Sequence, residues 1–399
     1  MRKPNLFQSF RSRSLALFLA SNMFIGCTFA SNVANENKPD PTIVQNTQEV
    51  KKIKIALLLD TSNSMDGLID QAKSQLWSLV NELSNARCGN GDVKPELQIA
   101  LYEYGNDRLT PAEGYIRMVT PLTNDLDKLS ADLFALSTNG GSEFCGHVIQ
   151  TGLKQLDWNE SGNDLQIMFI AGNEPFNQGS IDYKKSCLNA RDKKIVVNTI
   201  YCGSFNQGVS ELWKEGAELT NGTYMSIEQD RKTVYIDSPY DKDIMKLNSQ
   251  LNDTYIYYGS KGQEKKAMQE SEDRNASSYG AGNAVNRAVS KTKHVYKTDS
   301  WDLVDAKKEG KADVKTLNKA SLPAPMQAMK DEEIEKYVEV KSKEREKVKT
   351  EIAELNKKRE AFVKEKQKQQ AGGEKMLDDA MLNAIRTQAK SKSMSFVKE

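Results

Sequence analysis

Histidine is scarce in this sequence, which has only two, and no two of its five cysteines form a Cys-x-x-Cys pair. A zinc site or a thioredoxin-type site is therefore not expected. Beyond the N-terminal region there is no run of about 18 or more apolar residues, which argues against a membrane-spanning helix there. The net charge is only +1, so bulk electrostatics does not favour a nucleic acid as the partner.

The composition indicates a globular part joined to strongly polar segments. The 399 residues are enough for two or more domains, and 28% of them are charged. From the local composition we predict five regions: a signal peptide (1–30), a flexible linker (31–50), a globular domain (51–230), a mixed extension packed on or beside that domain (231–325), and a charged helical region (326–399).

The N-terminus is typical of an export signal, because a basic region without acids precedes a short apolar core at residues 15–25. Residues 24–27 resemble a bacterial lipoprotein box, with Cys27 as the lipidated residue, although Phe24 replaces the usual leucine. Residues 28–30 could instead serve an ordinary signal peptidase. We favour the lipoprotein ending. Either ending predicts export to the periplasm or outer cell envelope, anchored only through a lipid on Cys27 or otherwise secreted.

An even number of cysteines remains after Cys27. An even count in an exported protein favours disulfides, and sequence alone does not choose among the three pairings. The alternative is four free buried thiols. The disulfide candidates are Cys88, Cys145, Cys187 and Cys202.

The most informative stretch is IKIALLLDTSNSMDG at residues 53–67. Its apolar run is typical of a strand buried on both faces of a parallel sheet, and a helical pattern follows it. Asp60, Ser62 and Ser64 therefore lie in a loop at the carboxyl end of a central strand, where open α/β sheets bind ligands. Hard divalent cations prefer such oxygen ligands. The alternative is that the serines cap the helix and Asp60 accepts bonds from loop amides.

This segment resembles the metal-ion-dependent adhesion site of the von Willebrand factor A family, whose first motif is Asp-x-Ser-x-Ser. The alternation of apolar strands with amphipathic helices up to about residue 227 is consistent with that family. The resemblance implies an α/β fold: a doubly wound, mostly parallel, Rossmann-like sheet with helices on both faces. A helical C-terminal extension follows it.

The resemblance also implies two further loops at the site. Ser142 follows paired glycines and matches the threonine of the second loop. In the third loop Gly172 replaces the usual aspartate, which should weaken cation binding because affinity depends partly on ligand charge. The predicted cofactor is a divalent cation, Mg²⁺ before Mn²⁺ or Ca²⁺. The predicted ligands are Asp60, Ser62, Ser64 and Ser142, with Glu143, Asn173 and Glu174 as further candidates.

The function that the resemblance implies is a cell-envelope protein-binding module, not an enzyme. Its cation would capture an acidic group of an unknown protein partner. One alternative is a scaffold with a degenerate metal site whose C-terminal helices make the contacts. A less favoured alternative is a hydrolase in which His147 acts with Ser142 and Glu143.

Residues 331–369 are rich in Lys and Glu and contain no Pro, which predicts a long charged helix. A heptad-like seam runs through Val348, Ile352, Leu355 and Phe362, and Arg359 interrupts it. A dimeric coiled coil, a solvated single helix and an intramolecular hairpin are all compatible with this pattern. A second amphipathic helix is predicted after residue 375.

Overall fold

A six-stranded sheet lies at the centre of the structure, a computed structural model that describes residues 51–89, 93–159, 162–228, 230–231, 233, 235–369 and 377–397. The predicted signal peptide, linker and lipidation site Cys27 lie outside these residues. The sheet order is β4-β3-β1-β5-β6-β7, and a short ribbon pairs β2 with β8. The strands are β1 (Lys52–Asp60), β2 (Ala86–Cys88), β3 (Glu96–Tyr104), β4 (Ile116–Thr123), β5 (Leu165–Gly172), β6 (Val196–Cys202), β7 (Tyr224–Ile227) and β8 (Met394–Phe396).

Helices cover both faces of this sheet and form most of the C-terminal part. Only the β3–β4 pair is antiparallel in the large sheet. The predicted fold class is therefore confirmed. The helices are α1 (Asp66–Leu83), α2 (Leu126–Phe134), α3 (Cys145–Gln155), α4 (Tyr183–Asp192), α5 (Phe205–Ser210), α6 (Trp213–Glu218), α7 (Asp241–Asn252), α8 (Gly262–Ser278), α9 (Ala281–Ser290), α10 (Leu303–Lys308), α11 (Ala324–Gln327), α12 (Asp331–Gln369) and α13 (Leu377–Ala389).

The central strand β1 is buried from Ile53 to its end, as expected for a strand with helices on both sides. Its register with β3 places Asp60 opposite Tyr104, and its register with β5 places Leu59 opposite Ala171. The carboxyl ends of these three strands therefore meet at one edge of the sheet. This edge is where the sequence places the candidate ligands.

The extension after β7 folds as helices against α1 and α2 rather than as added strands. Residues 233–237 were expected to form a strand, but none of the described residues there is in a strand. Thr233 instead hydrogen-bonds Ser74 of α1 at 2.7 Å. The aromatic segment at 255–259 makes only an isolated bridge, from Tyr257 to Asp302, since the side chains of 255–256 are buried against α10 and α12.

The seam of α12 packs on the body of the same chain. Val348 and Ile352 are buried where α12 packs on α7 and α9, and Arg359 is also buried, with its Nε 2.9 Å from Asp241. The heptad-like spacing therefore corresponds to an intramolecular interface. Arg359 is part of this interface because the carboxylate of Asp241 pairs with it. A dimeric coiled coil along this seam would have to displace these contacts.

The C-terminus returns to the first helix of the sheet domain. The amides of Leu377 and Asp378 donate to the side-chain oxygens of Gln71 and Gln75 at 3.3 and 2.8 Å. These bonds satisfy free N–H groups at the start of α13. Strand β8 then pairs antiparallel with β2, directly after α1. Helix α1 is therefore enclosed by segments from the far end of the sequence.

Asp378 should make this C-terminal docking depend on pH. Burial, and then the neighbouring Asp379, raise the pKa of its carboxyl from 3.8 to about 6. Because the folded protein holds this proton more tightly, the stabilisation is complete below about pH 4 and is lost as the pH rises through about 6. We expect Asp378→Asn to raise the free energy of unfolding at pH 8 by about 1–2 kcal/mol and to flatten its pH dependence.

Urea unfolding at about pH 5 and pH 8 measures this effect. The exposed Asp379→Asn is the matched control, which should keep most of the wild-type pH dependence. An Asp378→Asn variant whose stability still falls between these two pH values would show that another group is responsible.

The four cysteines after Cys27 are buried free thiols, so the expectation of disulfides is wrong for this structure. Cys88 and Cys202 belong to the apolar layer on one side of the sheet, whereas Cys145 and Cys187 belong to the layer on the other side. Burial raises the pKa of all four thiols. They therefore behave as small apolar core residues.

Candidate functional site

The loop after β1 gathers three of the predicted ligands. Oδ1 of Asp60 accepts the amide of Ser62 at 2.7 Å, which turns the chain sharply as it leaves the sheet. A single 3-10 turn, Asn63–Met65, then leads into α1. The hydroxyl oxygens of Ser62 and Ser64 are 3.1 Å apart. Neither side chain caps a helix by accepting a hydrogen bond from a backbone amide of the following turn. The alternative in which these serines act as helix caps is therefore not supported.

Glu143 brings a second carboxylate to this loop. Gly105 packs against both acids, since a Cβ built on it would lie 2.7 Å from Asp60 Oδ1 and 2.7 Å from Glu143 Cγ. Its φ of +75° also favours glycine, so both steric arguments require that residue there. The chain thus comes close enough to enclose both carboxylates. Asp60 is 0% exposed and Glu143 is 4% exposed.

This pair is electrostatically unfavourable without a cation. Burial, and then the adjacent Glu143, raise the pKa of Asp60 well above its usual value. Burial also raises the pKa of Glu143. Asp60 Oδ2 and Glu143 Oε2 are both buried and have no hydrogen-bond partner among the described residues. Unpartnered buried oxygens are costly, and a divalent cation would satisfy both. The donor set therefore fits a cation of this kind.

Gly172 leaves no space for the aspartate that the family usually has in the third loop. A Cβ on Gly172 would lie 2.6 Å from the Tyr104 hydroxyl and 3.1 Å from Asp60 Oδ2. The Tyr104 hydroxyl donates to the Ala171 carbonyl at 2.9 Å, so it fills this space in a fixed position. In this chain the second carboxylate beside Asp60 is Glu143, in the second loop.

The other predicted ligands differ in how they meet this pair. Asn173 contacts Ser64 through its side-chain amide at 3.2 Å, which ties the third loop to the first. Ser142 is half-buried, and its hydroxyl has no hydrogen-bond partner within the described parts of the chain. Glu174 is exposed, and its carboxylate accepts from Gln178 at 2.9 Å, so its charge is turned outward.

Sequence reasoning missed Tyr104 and Gly105. Their only signal in the sequence is a tyrosine at the end of a predicted strand, followed by a glycine. This signal points to the site only once the register is known, because the register places Tyr104 opposite Asp60. Within the described residues there is no group of three or more His, Cys, Asp or Glu side chains that could hold a metal ion. The candidate site has two buried carboxylates, with the hydroxyls of Ser62 and Ser64 and the side-chain amide of Asn173 beside them.

His147 does not form a catalytic arrangement with Ser142 and Glu143. Its ring packs on Gly114, where a Cβ would lie 2.1 Å from Nδ1. Glu143 instead lies beside Asp60, where both side chains pack against Gly105. Burial lowers the pKa of His147, which keeps the ring neutral. The hydrolase alternative therefore has no geometric support.

Comparison with known proteins identifies the class. The family model described as von Willebrand factor type A domain matches residues 54–215. The chain therefore contains a von Willebrand factor type A domain. Domains of this class commonly mediate protein–protein interaction, and some carry a metal-ion-dependent adhesion site. No curated protein matches the chain.

Several solved structures are similar to part of this chain, at low sequence identity. Proximal thread matrix protein 1 from the mussel byssus is 13% identical, with a TM-score of 0.32 over 45% of this chain and 42% of its own. The SpRpn10 VWA domain is 15% identical, with a TM-score of 0.34 over 44% and 88%. BatB from Bacteroides thetaiotaomicron is 16% identical, with a TM-score of 0.34 over 44% and 90%. The chain thus spans less than half of the mussel protein.

No described helix is both long and apolar enough to cross a membrane.

Proposed function

We propose that this protein is a cation-dependent protein-binding module and not an enzyme. The observation that supports this most is the buried pair of Asp60 and Glu143, each with one unpartnered oxygen. With Ser62 and Ser64 they would hold Mg²⁺, or Mn²⁺ or Ca²⁺ in its place, and Ser142 is the remaining candidate ligand. The bound cation would supply an electrophilic site for a carboxylate of the partner.

The residues of this chain position and shield that site. Asp60 is fixed by its bond from the Ser62 amide, and Asn173 fixes Ser64 from the third loop. Neutral hydroxyls leave the cation more charge than a third carboxylate would, so an external acidic group is attracted to it. Export through the predicted N-terminal signal would place this module in the cell envelope, with or without a lipid on Cys27.

The scaffold alternative assigned the contacts to the C-terminal helices. The seam of α12 and the face of α13 that packs on α1 are already covered by this chain. Their apolar surface is therefore used in folding. This packing supports our choice of the cation site, rather than the covered faces of these helices, as the proposed point of contact with a partner.

Calorimetric titration of Mg²⁺, Mn²⁺ and Ca²⁺ into the full chain tests the site. We expect saturable binding that falls by about tenfold or more in Asp60→Asn and in Glu143→Gln, because each change removes one ligand charge. Glu174→Gln is the matched control and should lose much less affinity, since its carboxylate accepts from Gln178 and acts on Glu143 only through its charge.

Stability in a chelator separates ligand loss from misfolding. Glu143→Gln removes the repulsion between two buried carboxylates, so the metal-free variant should unfold at a higher urea concentration than the wild type. Lower cation affinity together with higher metal-free stability is the expected signature. A Glu143→Gln variant with wild-type cation affinity would refute the role of Glu143. Absence of binding to the wild type would refute the proposed function.

A further inference from the structure

Three lysines converge at the edge of the sheet opposite the cation site. Lys51 directly precedes β1, and its Nζ donates to the Lys392 carbonyl at 2.9 Å. Lys392 precedes β8, and its own Nζ donates to the Gly162 carbonyl at 2.7 Å. A Cβ on Gly162 would lie 2.9 Å from Nζ of Lys194, which closely precedes β6. Because β1, β5 and β6 are parallel, these positions share the amino-terminal edge.

No carboxylate pairs with these three ammonium groups in the described part of the chain. The nearest acid is Asp164, which is buried and already accepts the Lys52 amide at 2.8 Å. Burial, and then Lys194, lower the pKa of Lys392. The attraction of Asp164 offsets part of this repulsion at Lys392, so the fold holds like charges together with only partial neutralisation, which is unfavourable in the isolated protein.

A second basic group lies on the same edge at the start of β3. A cavity of about 180 Å³ is lined by Lys94, Lys297 and His294, with Glu96 as the one acid in its lining. Both lysines are exposed. Burial and the surrounding cations lower the pKa of His294 to about 4, so the ring stays neutral. We call Lys51, Lys94, Lys194, Lys297 and Lys392 together the basic edge.

The opposite edge is acidic, which gives the molecule a charge asymmetry that the net charge of +1 conceals. Asp60 and Glu143 lie there, and the loops around them carry the exposed acids Asp66, Asp107 and Glu174. A surface that attracts cations and a surface that attracts anions therefore lie at the two ends of the same strands.

From this asymmetry we infer that the basic edge docks on an anionic lipid surface and turns the cation site away from it. The occupant follows from where the chain enters: the residues that would follow a lipidated Cys27 join the body at Lys51, on this edge, so a lipid anchor would hold this edge near the membrane. Juxtamembrane lysines are attracted to anionic headgroups, and the attraction is screened by salt. Docking of the basic edge does not require that Asp60 and Glu143 bind a cation, whereas the orientation of that site rests on the proposed function.

Vesicle sedimentation tests it with the chain expressed from residue 31, the product of the second predicted cleavage, which lacks both Cys27 and the apolar stretch 15–25. The probes are phosphatidylcholine vesicles with and without about 30% phosphatidylglycerol. We expect binding only to the anionic vesicles, with release at high salt. Lys51→Gln/Lys194→Gln/Lys392→Gln should weaken it about a hundredfold, since each lysine near such a surface contributes roughly fivefold.

Two further variants guard against misfolding and bulk charge effects. Lys94→Glu/Lys297→Glu changes only exposed side chains and should also weaken binding. Lys343→Gln/Lys347→Gln/Lys357→Gln removes the same charge from exposed positions of α12 and should leave binding unchanged. Equal loss in this control, equal binding to neutral vesicles, or binding to heparin without binding to anionic vesicles would each overturn the inference.

Discussion

Replacing Arg345 with methionine should lower the free energy of unfolding by about 3–5 kcal/mol. Arg345 lies on α12 and is only 1% exposed. Its guanidinium bonds Asp302 at 2.5 Å, Asp305 at 2.7 Å and the Thr254 carbonyl at 2.7 Å. It also lies 4.2 Å from the centre of the Tyr255 ring. The variant would leave the fully buried Asp302 without its counter-charge, which is the costly part of the change.

Urea or thermal unfolding of the full chain measures this loss. Lys347→Met is the matched control on the same helix, because Lys347 is 78% exposed and its Nζ is 3.9 Å from Glu351. We expect that control to stay within about 0.5 kcal/mol of the wild type. Arg345→Met/Asp302→Asn should recover part of the loss by removing the unpaired charge. A loss below about 1 kcal/mol in Arg345→Met would contradict this account of the α12 interface.

Restoring the family aspartate by Gly172→Asp should damage the protein rather than improve its site. The new Cβ would lie 2.6 Å from the Tyr104 hydroxyl, and the new carboxylate would join Asp60 and Glu143 in a buried space. Overpacking typically costs about 1–3 kcal/mol, and an unpaired buried charge adds to that. We expect a total loss of about 3–5 kcal/mol in the presence of a chelator.

Two comparison variants separate the causes of that loss. Gly172→Ala adds only the steric conflict and should cost about 1–3 kcal/mol. Gly172→Asp/Glu143→Gln restores the number of acids to two and should be more stable than Gly172→Asp alone. Gly172→Asp could instead be as stable as the wild type and bind Mg²⁺ more tightly. That result would contradict the assignment of Glu143, rather than residue 172, as the second acid of this site.

Much of the sheet domain could be predicted from local sequence. The apolar runs of β1, β5 and β6 identify buried parallel strands, and the aspartate at the end of β1 marks the edge where ligands bind. Strand β4 is antiparallel to β3 and lies at the edge of the sheet, and its residues are mostly half-buried or exposed. These features depend on residues close together in the chain.

The parts that sequence did not reveal depend on distant residues. The space beside Gly172 is decided by Tyr104, which reaches it only through the register of β1, β3 and β5. Arg359 interrupts the apolar seam in the sequence because its partner, Asp241, lies far away along the chain, and the same distance hides the pairing of Arg345 with Asp302. The prediction of disulfides failed because it rested only on the expected export of the protein to an oxidising compartment. A disulfide also requires two cysteines in a suitable geometry, and these four are free thiols.

The position of β1 has a mechanical consequence. The N-terminal segment joins the body at one end of this strand, and the cation site begins at its other end. Any pull between an anchored N-terminus and a bound partner would run along β1. Because Asp60 is the last residue of β1, much of this load would pass along the covalent backbone of that strand, and its nine residues in register with β3 and seven in register with β5 would not have to slide past their neighbours. A protein anchored at its N-terminus would therefore keep its partner bound under tension.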